Sequence, residues 1–321
     1  MNLSTNRLTA FVPARIAFFT FLLVCISRCA SAQNTVAKII PADLSEISGL
    51  FISRNNLFFI HNDSGDTSRF FAIDAKGNLV STLYFKGDLS KKHFGVTDCE
   101  DIAGGPGLVK NKSYIYLGDI GDNGSNRPYV TVYRFPEPNK FSINMQIESE
   151  AVHLKYPNGP QDAETLMVDP ILKELIIISK RQDTVGIYSA SLFFKNEDTV
   201  TMKKQGSLFL PGKGLWKYVV SGDISRDGRQ VILKTYTNVY YWLRNGKEPI
   251  SQTLRRMPTK LPYILEPQGE AVGFTPDGKA YYCISEGKNA VIYRYNIPKL
   301  PDHTSKRALS TSPVRSSGHR E

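Results

Sequence analysis

The chain has 321 residues, of which 41% are hydrophobic and 22% are charged, and its 40 basic and 30 acidic side chains give a formal charge of +10 at pH 7. This composition is ordinary for a globular protein and excludes wholesale disorder, a fibrous repeat and a polytopic membrane protein. Four cysteines are too few for a chain of this length to depend on a framework of disulfides.

Residues 1–32 are organised like a secretory signal peptide. Arg7 and Arg15 precede an apolar run over 16–26, and the small residues of 30–32 follow with the spacing that a signal peptidase requires. The run is too short to cross a bilayer, which takes about 20 residues, so an uncleaved anchor is the weaker alternative. We predict an exported protein, secreted or periplasmic, with no membrane span once the signal is removed.

The positive charge is concentrated at the two ends of the chain. The signal carries three basic residues and no acid, and the tail over 299–321 has a net charge of +3, which leaves +4 for 33–298. An excess of this size is not the basic footprint of a nucleic-acid-binding protein. We therefore predict one domain over 33–298 with no nucleic-acid partner, followed by a tail too rich in Ser, Pro and Arg to fold.

One unit recurs five times along the chain, and each unit has an acidic or small-residue segment, a turn and two further strands. The units begin near residues 46, 100, 164, 221 and 270. The two strands that follow the turn cover 57–66 and 69–74, 113–123 and 130–135, 174–181 and 185–192, 229–236 and 238–243, and 279–287 and 290–296. Turns such as Asp227-Gly228 and Asp277-Gly278 suit antiparallel hairpins.

A fourth strand is predicted between successive units. The candidates are 80–85, 151–156, 207–211 and 251–256. The fifth unit lacks one, and 35–40 at the start of the mature chain can supply it. Four strands per unit, with the first strand closing the last unit, is the arrangement of a β-propeller, which leaves no open sheet edge. We predict an all-β propeller with five blades; six blades, with a degenerate blade within 136–160 or 193–220, is the alternative.

Acidic and polar residues recur at two places in each unit that share one face of a propeller. In a four-stranded meander the first strand leaves the face to which the second returns, so these side chains are expected to converge on the axis. The predicted metal ligands are Glu46, Glu100, Glu164 and Glu270. The side chains predicted to bind a small anionic ligand are His61, Asp63, Asp119, Asp122, Lys180, Arg181, Lys234 and Glu286.

Converging carboxylates repel one another unless a cation lies among them or some stay protonated. Oxygen ligands without a His or Cys cluster favour a hard cation, so we expect Ca²⁺ before Zn²⁺. The alternative is that these acids are structural and accept hydrogen bonds from loop amides. Two Asp- and Asn-rich segments, 61–66 and 118–123, lack the twelve-residue EF-hand pattern and are predicted to be plain polar turns. Cys99 and Cys283 are predicted to be two buried thiols.

An ordered series of motifs resembles a group of bacterial secreted β-propeller proteins close to esterase-like and phytase-like propellers. The motifs are Glu46-Ile-Ser-Gly, His61-Asn-Asp-Ser-Gly-Asp, Glu100-Asp-Ile-Ala, Gly118-Asp-Ile-Gly-Asp-Asn, Asp162-Ala-Glu-Thr-Leu, Ser179-Lys-Arg and Gln268-Gly-Glu-Ala. The resemblance covers about 45–297 and implies a propeller and export, but no established reaction. This chain has Cys99 where that family often has Trp. By architecture alone, the chain is also similar to five-bladed calcium-dependent nucleotidases, whose axial carboxylates hold the metal.

Three functions follow from this reading. The first is a metal-dependent phosphoester hydrolase, in which Lys180, Arg181 or Lys234 neutralises the phosphoryl oxygens beside the cation. The second is a non-catalytic propeller that binds a protein or glycan partner. The third is a lactonase or carboxylesterase on the same metal. In each case we expect a monomer.

Overall fold

The computed structural model describes residues 34–88 and 95–298, and these residues form five β-sheets. Each sheet contains an antiparallel meander of four strands, and the sheets are the five blades of a β-propeller. The all-β, five-bladed fold predicted from the sequence is therefore confirmed. The predicted signal peptide over 1–32 and the predicted tail over 299–321 lie outside the described residues.

The blades follow one another along the chain, and the innermost strand of each blade comes first. Blade 1 consists of β2 (Ile47–Ile52), β3 (Phe58–Asn62), β4 (Arg69–Ile73) and β5 (Leu79–Tyr84). Blade 2 consists of β6 (Cys99–Pro106), β7 (Ser113–Asp119), β8 (Val130–Pro136) and β10 (Glu150–Lys155). Blade 3 consists of β11 (Ala163–Asp169), β12 (Glu174–Ser179), β13 (Thr184–Ser191) and β15 (Lys203–Phe209). Blade 4 consists of β16 (Val219–Ile224), β17 (Gln230–Thr235), β18 (Val239–Leu243) and β19 (Thr259–Leu261), and blade 5 of β20 (Gly269–Phe274), β21 (Ala280–Ser285), β22 (Val291–Asn296) and β1 (Asn34–Lys38).

The N-terminal strand β1 closes the ring, as predicted for 35–40. It pairs antiparallel with β22, with Thr35 opposite Tyr293 and Lys38 opposite Val291. The five inner strands contact one another in order around the axis, and β2 contacts both β6 and β20. Blade 1 therefore lies between blades 5 and 2, and residues of these three blades form the site described below.

The hydrophobic core consists of five clusters, and each cluster fills the space between two neighbouring blades. Between blades 1 and 2, for example, the ring centroids of Phe70 and Phe135 are 5.0 Å apart. Cys99 and Cys283 are buried in different clusters as free thiols, as predicted. The blades are thus held together mainly by burial of apolar surface.

Two short strands extend the outer edges of blades 1 and 2. Strand β9 (Asn144–Gln146) pairs parallel with β5, and β14 (Asp198–Thr201) pairs parallel with β10. The regions 136–160 and 193–220 therefore complete existing blades instead of forming another, and the six-blade alternative is wrong.

The strand predicted over 251–256 is also wrong, because this segment contains the short helix α1 (Ile250–Leu254). Pro249 directly precedes the helix, and its fixed φ suits a helix start. Ile250 and Leu254 lie one helical turn apart and are buried in the cluster between blades 3 and 4. The fourth strand of blade 4 is β19 instead. Within the two described ranges, no helix has the length and apolar character needed to cross a membrane.

Candidate functional site

Every inner strand has one extra residue at the same place near its start. In blade 2, Cys99 pairs with Asp119 and Asp101 pairs with Gly118, which leaves Glu100 without a partner in the ladder. Such a β-bulge bends the strand and redirects the side chain of the extra residue. The residues at this bulge position are Ser48, Glu100, Glu164, Val220 and Glu270.

Two further sets of equivalent residues surround the bulge. The first set, here called the mouth position, directly follows the second strand of each blade and contains Asp63, Ile120, Lys180, Tyr236 and Glu286. The second set, the rim position, lies two residues before the bulge and contains Glu46, Asp98, Asp162, Tyr218 and Gln268. Backbone bonds connect the two sets: the N–H of Asp63 donates to the Glu46 carbonyl at 2.7 Å, and the equivalent bonds in blades 3 and 5 are 2.9 Å long.

Five carboxylates from these positions meet where blades 5, 1 and 2 adjoin. Oxygens of Asp63, Asp98 and Glu100 lie within 4.8 Å of one another. Oxygens of Asp63, Glu270 and Glu286 form a second group, in which the atoms also lie within 4.8 Å of one another. Asp63 belongs to both groups, so it lies at the centre of the acidic cluster formed by these five residues.

Burial and mutual repulsion raise the pKa of most carboxyls in the acidic cluster. Burial, with added repulsion from Glu270, raises the pKa of Asp63 to about 6. Burial, with added repulsion from Asp63, raises the pKa of Asp98 to about 7 and holds the pKa of Glu100 well above its usual range. Burial, with added repulsion from Glu270, raises the pKa of Glu286 to about 8. The cluster is therefore short of positive charge at neutral pH.

Blades 3 and 4 place a cation and a phenol on the other side of the mouth. The Lys180 ammonium forms an ion pair with Glu164 and lies 5.7 Å from the centroid of the Tyr236 ring. The Tyr236 hydroxyl donates to Glu270 Oε1 at 2.9 Å. Lys180 also lowers the pKa of Asp63 in part, against the larger effect of burial. The mouth thus has an acidic half and a half that offers N–H and O–H donors.

Gly121 brings backbone directly against the acidic cluster. A Cβ atom at this position would fall 2.3 Å from Glu100 Oε1 and 2.4 Å from Asp98 Oδ2. Any larger residue would displace one of the two carboxylates, so the close approach requires glycine here.

The four predicted metal ligands occupy three different environments. Glu100 and Glu270 are buried at bulge positions and belong to the acidic cluster. Glu164 is also at a bulge position, but its carboxylate is paired with Lys180. Glu46 is exposed and occupies the rim position of blade 1, outside the two carboxylate groups.

Among the residues predicted to bind an anion, Asp63 and Glu286 lie in the acidic cluster, whereas Asp119 and Asp122 organise the loop after β7. Asp119 accepts hydrogen bonds from the backbone of Thr97 and Asp98 at 3.1 Å each. Asp122 accepts from the N–H of Arg127 at 2.8 Å. The predicted polar turn over 118–123 is thus held by its own carboxylates.

Arg181 lies beside the mouth and is already partnered. Its guanidinium forms an ion pair with Asp162 and donates to the Asn123 side chain. Arg181 therefore connects blade 3 to the loop of blade 2.

His61 and Lys234 occupy equivalent positions in blades 1 and 4, and both side chains lie between blades. His61 pairs with Gly49 and Lys234 pairs with Ser221, and each partner is the residue directly after a bulge. The Lys234 ammonium donates to the Gly269 carbonyl of blade 5 at 2.6 Å. Burial lowers the pKa of Lys234, so the neutral amine is more favoured at this site than it is in water.

The His61 ring is enclosed between blades 1 and 2. A Cβ atom at Gly49 would lie 2.7 Å from His61 Nε2 and 2.9 Å from the Asp101 Cα. Burial lowers the pKa of His61 to about 4, so the imidazole is neutral at pH 7. His61 is therefore an interior side chain that lies between the two blades.

Two further aspartates join blades through backbone amides. Asp101 accepts from the Leu166 N–H of blade 3 at 3.0 Å. Asp223 accepts from the Phe274 N–H of blade 5 at 2.8 Å. Both carboxylates are buried. At these two positions the structure supports the alternative that the recurring acids are structural and accept hydrogen bonds from backbone amides.

Two residues of the site, Asp98 and Tyr236, were not predicted from the sequence. Asp98 precedes Glu100 by two residues, as Asp162 precedes Glu164, and this spacing is visible in the sequence. Tyr236 follows its strand as Lys180 follows β12, but it is aromatic and was read as part of the strand.

Comparison with known proteins adds one structural likeness. No protein-family model matches this chain, and no curated protein matches it. A solved structure, the PQQ-bound form of an aldose sugar dehydrogenase from Streptomyces coelicolor, is similar over 83% of this chain and 98% of its own chain, with 10% sequence identity and a TM-score of 0.44. A likeness at this level carries no argument about activity. The resemblance to bacterial secreted propellers stays a prediction.

Proposed function

We propose that the acidic cluster holds a divalent cation, with Asp63 at its centre. The observation that carries this proposal is that Asp63 belongs to two sets of three carboxylates. Within each set the carboxylate oxygens lie within 4.8 Å of one another. Carboxylates this close either retain protons or share a cation. The raised pKa values of Asp63, Asp98 and Glu286 indicate a deficit of positive charge that a cation would remove.

The ligand chemistry favours Ca²⁺. All five side chains of the cluster offer carboxylate oxygens, and Ca²⁺ takes six to eight oxygen ligands in flexible geometry. The nearby His61 and Cys99 are enclosed between blades, so no nitrogen or sulfur of theirs supports Zn²⁺ here. Export, which the sequence of 1–32 favours, would expose such a site to extracellular calcium.

We further propose that the mouth takes an anionic small ligand beside the cation, as in a phosphoester hydrolase. A divalent cation supplies Lewis acidity toward an anionic oxygen. Lys180 offers an ammonium at the mouth, close enough to Asp63 to lower its pKa in part, whereas the single O–H of Tyr236 is already donated to Glu270. The ammonium would pair with an anionic oxygen of the ligand beside the acidic half of the mouth.

One observation favours a second candidate, a lactonase or carboxylesterase. Lys180 and Arg181 are already paired with Glu164 and Asp162, and Lys234 lies between blades. A neutral ester needs fewer free cations than a phosphoester. A non-catalytic propeller that binds a protein or glycan is the remaining outcome.

The test is thermal melting of the purified protein after chelation, followed by titration with Ca²⁺, Mg²⁺ and Mn²⁺. An ion that binds only the folded state raises the melting temperature saturably. Glu286→Gln should weaken this rise, and Glu148→Gln, an exposed glutamate outside the mouth, is the matched control. Absence of a rise with all three ions would mean that the acids are structural.

Activity is then measured with phosphoesters, lactones and carboxylesters, with and without the ion that stabilises the fold. Turnover that requires the ion and is lost in Asp63→Asn supports the hydrolase. Ion binding without turnover of any of the three substrate classes would favour the non-catalytic propeller.

A further inference from the structure

The opposite end of the propeller carries a second site, a cavity of about 620 Å³. The acidic cluster lies at the starts of the inner strands, and the cavity lies at their ends, where Ile52, Pro106, Val168, Ile224 and Phe274 line it. At about 3.3 Å per residue, the distance along β6 between the two sites is about 20 Å. The volume falls within the range of about 300–1,000 Å³ that small-molecule sites occupy.

The wall of the cavity is largely apolar. Phe51, Ile52, Val168, Ile224 and Phe274 contribute aromatic and branched side chains from four of the five blades. An apolar wall excludes water from ligand atoms that cannot hydrogen-bond, so it favours a hydrocarbon group.

Apolar side chains also reach the entrance. Leu108, Val109 and Phe193 line the cavity and are each about half exposed or more, at 49%, 47% and 62%. Leu108 and Val109 belong to the long turn between β6 and β7. Leu108, Val109 and Phe193 therefore add exposed apolar surface to the lining of the cavity.

The entrance is strongly basic. Five cations line the cavity: Arg54, Lys110, Lys112, Lys173 and Arg226. Within 34–88 and 95–298, none of these five forms an ion pair or a side-chain hydrogen bond. Asp223 is the one acidic residue among the described lining residues, and its carboxylate already accepts from the N–H of Ile224 and Phe274.

Arg54 and Arg226 are close enough to repel each other. Partial burial and the charge of Arg54 lower the pKa of Arg226, and Glu137 offsets part of this effect. With Lys110, Lys112 and Lys173, the two guanidinium groups leave an excess of positive charge along the lining of the cavity. An anionic group between them would relieve the repulsion through charge-assisted hydrogen bonds.

We propose that this cavity binds a small amphiphilic anion, namely an unbranched acyl or alkyl chain that ends in a carboxylate or phosphate. The chain occupies the apolar interior, and the anionic end pairs with Arg54 and Arg226 at the entrance. The occupant is a single dissolved molecule, because the cavity has the volume of a small-molecule site.

The experiment is calorimetric titration of the full chain with decanoate, octanoate and hexanoate, and with decyl phosphate. In chelator, which leaves the acidic cluster without a cation, decanoate and decyl phosphate should bind with a stoichiometry of one. Each additional buried methylene should tighten binding by about fourfold. Equal affinity for the three carboxylates would overturn the proposal, because it would indicate ion exchange on the surface.

Two probes separate the charge from the chain. Inorganic phosphate should bind at least tenfold more weakly than decyl phosphate, and decyltrimethylammonium should not compete with decanoate. Adsorption to phosphatidylglycerol vesicles without binding of dissolved decanoate would overturn the proposal, because the basic entrance would then serve a lipid surface.

Variants identify the cavity as the site. Arg54→Gln combined with Arg226→Gln should weaken decanoate binding by about tenfold or more, since both charge-assisted bonds are lost. Both arginines are exposed, so the fold should tolerate the changes. Arg255→Gln, at an exposed arginine on α1's C-terminal side, is the matched control. Unchanged decanoate affinity in the double variant would overturn the assignment, whether or not the acidic cluster binds an ion.

Discussion

The hydroxyl of Tyr236 donates a 2.9 Å hydrogen bond to Glu270 Oε1, so that blade 4 fixes the direction of a carboxylate of blade 5. Glu270 is also one of the residues whose oxygens meet those of Asp63. A residue outside the acidic cluster therefore positions one of its members.

Tyr236→Phe should weaken Ca²⁺ binding without altering the fold. The substitution removes one hydrogen bond, worth about 1 kcal/mol, and lets the Glu270 carboxylate rotate. We expect about a fivefold loss of affinity in Ca²⁺ titrations followed by melting temperature. Tyr293→Phe, at a half-buried tyrosine of β22, should leave the affinity unchanged. Equal affinity in the two variants would mean that Glu270 is not a ligand.

Chelated protein should be less stable at pH 8 than at pH 5. Asp63, Asp98 and Glu286 have folded pKa values of about 6, 7 and 8, above those of the unfolded chain near 4. Between these values the folded state binds more protons than the unfolded state, so the free energy of unfolding falls as pH rises. Melting temperatures measured from pH 5 to pH 8 in chelator test this expectation.

Calcium should remove most of that pH dependence, because the ion replaces the protons that the cluster retains. Ca²⁺ affinity should accordingly rise with pH over the same range. Other buried acids, such as Glu266 with a pKa raised to about 7 by burial, also titrate here. The difference between melting curves with and without Ca²⁺ isolates the cluster. A difference that is the same at pH 5 and pH 8 would contradict this prediction.

Asp169 and Arg244 form a buried pair that joins blades 3 and 4, with two hydrogen bonds of 2.8 Å each. Asp169→Asn should destabilise the fold by about 3–5 kcal/mol, because it leaves a buried guanidinium without its counter-charge. Unfolding in urea measures this loss. Asp227→Asn, at an exposed aspartate in a nearby turn, should cost less than about 1 kcal/mol.

The number of blades and the strand that closes the ring were predictable because both depend on a repeat. Apolar strands recur at regular intervals in the sequence, and the last unit lacks a strand that only 35–40 supplies. The helix over Ile250–Leu254 was not predicted, since its two buried apolar residues are one helical turn apart in a segment too short to show a period.

The register of the acidic residues was not predictable from residue type alone. Aligning the repeats by their glutamates equates Glu46 with Glu100, but the bulge equates Ser48 with Glu100 and Glu46 with Asp98. One extra residue in a strand changes which side chain faces the axis. For the same reason Tyr236, and not Lys234, is at the mouth position of blade 4.

The pair of Lys180 and Glu164 permits a test that separates cation binding from anion binding. Lys180→Gln removes a positive charge near Asp63 and Glu100, whose pKa values it lowers in part. A divalent cation is repelled by a unit positive charge several ångströms away, so Ca²⁺ should bind more tightly to Lys180→Gln by about fivefold or more.

Glu164→Gln should have the opposite effect on Ca²⁺, because it removes a negative charge and leaves the Lys180 ammonium unpaired beside the cluster. The double variant, with both residues changed to Gln, should bind Ca²⁺ nearly as the unchanged protein does, since the two charges cancel. Anionic ligands should bind more weakly to Lys180→Gln and to the double variant alike, because both lack the ammonium. Calorimetric titrations with Ca²⁺ and then with inorganic phosphate measure the two affinities. Tighter phosphate binding after loss of Lys180 would contradict a role for this residue in holding an anion.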